Sequence, residues 1–331
     1  MRSIHGPLER AQALQRRSFA QACALATALS ATLGLPAVTH AQPRAQRQPD
    51  EPRIGAASRW FTTSDGVRLH YLDTGQAQHG GAAPTLAFVP GWTMPGWIWQ
   101  RQIEHFAPRH RVLALDPRGQ GHSQLAATGY DHGRRAGDIA EWLQASAAGR
   151  EVVLVGWSLA VLECLQLVHD ARLAGAPPPL RALVLVDNSV GVGDPPTGDP
   201  TFFDRLRKRR RQTVAGFVAS MFKHPPDPDW LEQLTTAALR TPLGASIELL
   251  RQPRAREFWR DSLFATPEPV LYAYSPRFAQ QGEIVKARRP QVQTHLFADA
   301  GHALFVDEAA AFNEVLARFI ERHVPATGAP R

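Results

Sequence analysis

Four short, unbroken apolar runs punctuate the first half of the chain: TLAFVPG (85–91), RVLALDPRG (111–119), EVVLVGW (151–157) and LRALVLVDNS (180–189). Continuous apolar runs of this length are what strands buried on both faces look like. Between them lie segments with helical spacing: WIWQRQIEHF (97–106), YDHGRRAGDIAEWLQAS (130–146) and LAVLECLQLVHDARLAG (159–175), the last ended by Gly175 and the prolines at 177–179. Strand alternating with helix predicts an α/β fold, a mostly parallel sheet with helices on both faces. Ahead of these, RWFTTSDGVRLHYLDTG (59–75) alternates around Asp65-Gly66 as a hairpin does.

The rhythm breaks after Asn188. FFDRLRKRRRQTVAGFVASMF, PDWLEQLTTAALR and SIELLRQPRAREFWRDSLF are helical in period and contain no strand. Strand pattern returns at PVLYAYS (269–275) and VQTHLFADAG (292–301), and EAAAFNEVLARFIERH closes the domain as an amphipathic helix. The reading is a core of residues 59–188 and 268–331 interrupted by a helical cap, 189–267. Such an insertion at the carboxyl edge of a parallel sheet lies where these sheets bind ligands.

Residues 1–41 stand apart. Arg16 and Arg17 precede a mildly apolar stretch from Ala20 to Val38, and the small residues around Ala41 suit cleavage. This reads as a signal peptide of the twin-arginine kind, with a periplasmic or secreted product and no stable membrane insertion after cleavage; the competing reading of the same segment is an uncleaved membrane anchor. Residues 42–58 read as a polar, proline-rich linker. Residues 1–41 carry four arginines and one glutamate, so their loss lowers the net charge from +7 to +4. Their loss also leaves Cys164 as the only thiol, a buried structural cysteine by its place in a helical run.

Ser158 sits where an apolar run meets a helical one, in Gly156-Trp157-Ser158-Leu159-Ala160. A serine there can serve as a helix N-cap. The segment also resembles the nucleophile elbow, G-x-S-x-G, of the α/β-hydrolase family, with Ala160 in place of the second glycine. The resemblance extends over about residues 59–323. FVPGWTMPG (88–96) occupies the family's oxyanion loop, with Pro90 where a His is usual and Gly91 retained; it implies an oxyanion hole from the backbone N–H groups of Trp92 and Leu159. LDPRGQGHS (115–123) matches a structural loop of the family at Asp116, Arg118, Gly119, Gly121 and Ser123. DAGHALFVDE (299–308) puts His302 where the family keeps its catalytic base.

Departures concern the acid. The family's usual position, after the strand at 269–275, offers no carboxylate before Glu283, whereas Asp187 ends the strand before it. The resemblance therefore implies a triad of Ser158, His302 and Asp187, with Glu283 the second choice. It implies a serine hydrolase of esters or lactones working through an acyl-enzyme, and residues 1–41 make the expected product an exported one. The other readings on the same fold are a ligand-binding protein and cofactor-free perhydrolase or oxygenase chemistry. No metal-ligand spacing, G-x-G-x-x-G or P-loop is present, so no cofactor and no metal are expected. RLRKRRRQ (205–212) could face phosphates, but a helical context and the mild charge after cleavage favour a solvated face, with a small-molecule ester as partner and no nucleic acid. Trp92, Trp97, Trp99, Phe217, Met221 and Phe222 are candidates for an apolar pocket, and equally for plain core.

Overall fold

The computed structural model describes residues 55–75, 83–176, 180–195, 197–251 and 254–324. The expected signal peptide and nearly all of the expected linker lie outside them. Eight strands form one sheet: β1 (Ala57–Thr62), β2 (Arg68–Asp73), β3 (Thr85–Val89), β4 (Val112–Leu115), β5 (Val152–Trp157), β6 (Leu180–Val186), β7 (Val270–Tyr274) and β8 (Gln293–Leu296), in the order β1-β2-β4-β3-β5-β6-β7-β8. β1 and β2 form the expected hairpin, β2 runs antiparallel to β4, and every other pairing is parallel. The crossover at β3–β5 is the topological switch point, where ligands bind at the carboxyl edge of open α/β sheets.

Alternation within each buried strand feeds two separate cores. Phe88, Val155, Val184 and Ala273 face a layer that contains helices α1 (Gln100–Phe106), continuing a 3₁₀ turn at Gly96–Trp99, and α11 (Ala309–His323). Val89, Leu154, Leu185 and Tyr272 face the opposite layer, containing α2 (His132–Ala147), α3 (Leu159–Ala174), α8 (Arg256–Ala265) and α9 (Ala279–Arg288). A sheet covered on both faces demands such two-sided apolar strands.

Helices α4 (Phe202–Lys208), α5 (Arg210–Ser220), α6 (Pro228–Arg240) and α7 (Leu243–Leu249) join the first core through Leu206, Val214, Val218, Leu234 and Leu249. They are tied to the loops at the sheet's carboxyl edge. Thr241 donates to the Gly119 carbonyl, the Trp92 indole to the Ser246 carbonyl, and the Ala303 N–H to the Met221 carbonyl. The short helix α10 (Leu304–Asp307) follows that last contact and leads into α11.

Two expected boundaries move. α8, read as part of the cap, packs on α3, where Trp259 and Leu263 are buried with Cys164 and Leu165. Helical periodicity reports a helix but not the layer it joins. The linker was expected to run to residue 58, but β1 starts at Ala57, because Ala57 and Ser58 are held by backbone pairing to Asp73 and Leu72 rather than by an apolar pattern.

The LDPRGQGHS segment forms a loop organised by buried charge. Burial alone would raise the Asp116 carboxyl, but hydrogen bonds from His70 and from the Gly96 and His122 amides outweigh it and hold its pKa below the ordinary value. A depressed carboxylate stabilises the fold above its unfolded pKa, about 3.9, and loses that contribution as pH falls through the folded value. Acidification below about pH 4 is thus expected to lower the urea midpoint of the native protein, and Asp116→Asn to flatten that part of the decline. An unchanged slope in the variant would assign the acid lability to other carboxylates.

Candidate active site

β5 is buried at all six positions and ends at Trp157; α3 begins at Leu159. Ser158 between them has φ +55°, a left-handed conformation that side chains adopt at a cost. So sharp a reversal needs close backbone approach. A Cβ on Gly156 would lie 2.7 Å from the Cys164 sulfur and 2.8 Å from the Ala160 carbonyl oxygen. Ala160 itself is fully buried, so the methyl in place of the family's second glycine is accommodated. The Cys164 thiol is pushed well up by that burial, as befits a packing residue.

The competing N-cap role does not fit. Ser158 precedes α3, yet its side chain makes no capping hydrogen bond. Its Oγ lies 2.8 Å from Nε2 of His302 instead, and Nδ1 of His302 lies 2.7 Å from Oδ2 of Asp187. A carboxylate accepting from Nδ1–H leaves Nε2 as the acceptor facing the serine hydroxyl. Residues 29 and 115 positions apart in sequence thus meet in one hydrogen-bonded chain at the carboxyl edge of β5, β6 and β8.

Each member is fixed in place. Asp187 follows β6 with φ +50°, is fully buried, and receives the Ser275 N–H on Oδ1 at 2.6 Å. Asn188 donates to the Ser158 carbonyl at 2.8 Å, and the Tyr272 hydroxyl donates to the Asn188 carbonyl at 2.8 Å. Burial, and then the charge of Asp187, push the Tyr272 hydroxyl well up, which keeps it a donor. His302 rests on the Trp157 ring at 5.1 Å, and its carbonyl accepts from the Trp157 indole at 2.9 Å. Asp307 receives the N–H groups of Gly301, Lys223 and His224, linking the His302 loop to the segment between α5 and α6.

Gly91 closes the site from the other side. A Cβ there would lie 2.7 Å from Cβ of Ser158 and 3.2 Å from its Oγ, so the loop after β3 lies against the serine only because residue 91 is glycine. The Trp92 N–H follows directly. Leu159, as the first residue of α3, has no helical acceptor for its own N–H. The two N–H groups expected to form the oxyanion hole thus belong to the residues that follow Gly91 and Ser158, and neither depends on the side chain at Pro90.

Other expectations divide. Glu283 is exposed on α9 and takes no part. The Trp92 ring packs edge-on against Phe202 of α4 and Phe217 of α5, with centroids 5.6 and 5.0 Å away, and Trp97 meets Trp230 of α6. Met221 and Phe222 are buried in the same core. Trp99 is corrected from pocket to core, because it stacks on Phe305 at 3.8 Å and packs against Phe88. The arginine run is largely a solvated face: Arg205, Arg207 and Arg211 are exposed and pair with Asp199, Asp204 and Glu232. Sequence reasoning assigns no role to Asn188, Tyr272, Ser275 or Asp307; the local signs are the polar pair Asp187-Asn188 ending an apolar strand and the place of Asp307 in the stretch that holds His302.

A parallel sheet of this order, with a strained serine between its central strand and the following helix, is the α/β-hydrolase fold. The chain belongs to the Alpha/beta hydrolase family, whose model matches residues 86–315. It is 26% identical over 259 residues to a pimeloyl-[acyl-carrier protein] methyl ester esterase of Vibrio atlanticus (strain LGP32), covering 73% of this chain and 96% of that protein. Solved structures with the same fold include an esterase from Exiguobacterium antarcticum, with TM-score 0.66 and 18% identity over 79% of this chain and 98% of that one. A putative aryl esterase from Burkholderia cenocepacia superposes with TM-score 0.67 and 22% identity over 81% and 99% of the two chains.

Proposed function

We propose that this protein is an exported serine hydrolase of carboxylic esters or lactones. The observation that carries the reading is the continuous chain from Asp187 through His302 to Ser158. In the proposed reaction, Oγ of Ser158 attacks the ester carbonyl while Nε2 of His302 takes its proton. The carbonyl oxygen, becoming negative, is met by the N–H groups of Trp92 and Leu159. His302 passes the proton to the departing alkoxide, leaving an acyl-serine. Water, deprotonated by the same imidazole, then releases the carboxylic acid and restores the hydroxyl.

The esterase named among the relatives supports an ester as substrate. Trp92, Phe202 and Phe217 beside the oxyanion loop favour an apolar acyl or aryl group. A ligand-binding protein has no use for a strained serine aligned on a carboxylate-oriented imidazole, and for that reason we prefer turnover. Export rests on Arg16, Arg17 and the segment that follows them.

A panel of p-nitrophenyl esters and lactones, offered to residues 42–331, tests the reading. Turnover is expected on at least one apolar acyl group and not from the Ser158→Ala variant. Equal rates in the two proteins, or none across the panel, would overturn it.

A further inference from the structure

A buried polar chain that takes no part in the reaction above ends on the oxyanion loop. Gln120, in the loop after β4, is fully buried, and its Nε2 donates to the carbonyls of Gly91 at 3.0 Å and Met94 at 2.8 Å. These two carbonyls bracket Trp92 and Thr93. On its other side, Oε1 of Gln120 accepts from Nη1 of Arg135 at 3.0 Å. Arg135, on α2, grips both carboxylate oxygens of Glu163, on α3, through Nε and Nη2. The side chains of this ion pair are 2% and 1% exposed.

Arg135 has only donors, so the amide oxygen of Gln120 must face it and the NH₂ group must face the loop. A flipped amide would set donor against donor and oxygen against two carbonyls. The loop needs such a hold. Thr93 has φ +59°, costly for a β-branched residue, and within the turn the Met94 N–H closes onto the Gly91 carbonyl at only 3.2 Å. We propose that Gln120, oriented by the Arg135–Glu163 pair, is the positioning residue that aims the Trp92 N–H at the developing oxyanion. The proposal rests on the ester-hydrolase reading.

Gln120→Glu tests it with an isosteric change. The contact with Arg135 is retained, while both donors to the loop are lost. Misplacing a catalytic donor by about 1 Å costs on the order of 10²-fold, and that is the fall expected in kcat. KM and the pH profile are expected to stay, because the Asp187–His302–Ser158 chain is untouched. The Ki of a trifluoromethyl ketone matching the acyl group, which forms a tetrahedral adduct on Ser158, is expected to rise by the same factor. Gln120→Met, which removes the donors without adding charge, carries the same expectation if the Glu variant does not fold. A folded variant with native kcat and native Ki would overturn the proposal. So would loss of the fold in both variants, which would make Gln120 a residue of stability alone. If the native protein turns over no ester, the ester reading fails rather than the role of Gln120.

Discussion

Replacing His302 by alanine is expected to lower kcat on an ester substrate by about 10⁶-fold, as far as removal of the serine itself. The reason lies in one bond. Oγ of Ser158 is 2.8 Å from Nε2 of His302, and the elbow supplies no other base within the hydrogen bonds it makes. Without the imidazole the hydroxyl attacks with its proton still on, and the departing alkoxide leaves unprotonated. KM is expected to stay near native, since the ring contributes to the transition state and not to binding. The Ser158→Ala/His302→Ala double variant should be no slower than either single one, because residues acting as a unit are not additive. Steady-state rates with the melting temperature as control decide the matter. A loss below about tenfold with the fold intact would show that His302 is not the base, a difference of only about 1.4 kcal/mol in barrier.

Asp187→Asn has the next largest effect, a fall in kcat of about 10⁴-fold by the analogy of serine proteases. The neighbouring backbone makes the direction specific. Oδ1 of Asp187 receives the Ser275 N–H, so an asparagine there keeps its oxygen toward residue 275 and turns its NH₂ toward His302. Facing a donor, Nδ1 must accept and the ring proton moves to Nε2, where it blocks acceptance from Ser158. The variant has its side chains in place and the wrong tautomer between them. Glu283→Gln, on the exposed side of α9, is expected to leave kcat unchanged. Kinetics on the two variants side by side assign the acid.

Most of the fold was legible because a sheet covered on both faces writes itself as unbroken apolar runs, and a strand-to-helix elbow leaves a short signature around Ser158. The candidate site was legible to the extent that chain order is informative: a serine, an acid at the end of the next strand and a histidine after the last one, which the fold brings within hydrogen-bond distance of one another. What supports them was not. Tyr272 in β7 and Ser275 just after it act on Asn188 and Asp187 from more than eighty residues away, and nothing local marks either. Trp99 and Trp92 stand seven residues apart and are both buried, yet one stacks on Phe305 and the other packs on Phe202 and Phe217 of the cap. Which face a side chain takes after a turn depends on the turn's geometry, and the left-handed Thr93 has no signature in composition. Gln120 stands among the glycines of its loop with no local mark of a role; only packing connects it to Arg135 and Glu163.

The central claim is that the Ser158 hydroxyl is activated by an imidazole and a carboxylate distant in sequence. Treating residues 42–331 with a fluorophosphonate and mapping the adduct by peptide mass spectrometry tests it most directly. A single phosphonyl group on Ser158 in the native protein, absent after His302→Ala and strongly slowed after Asp187→Asn, is the predicted result. Modification that goes elsewhere, or that proceeds on Ser158 at the same rate without His302, would contradict it.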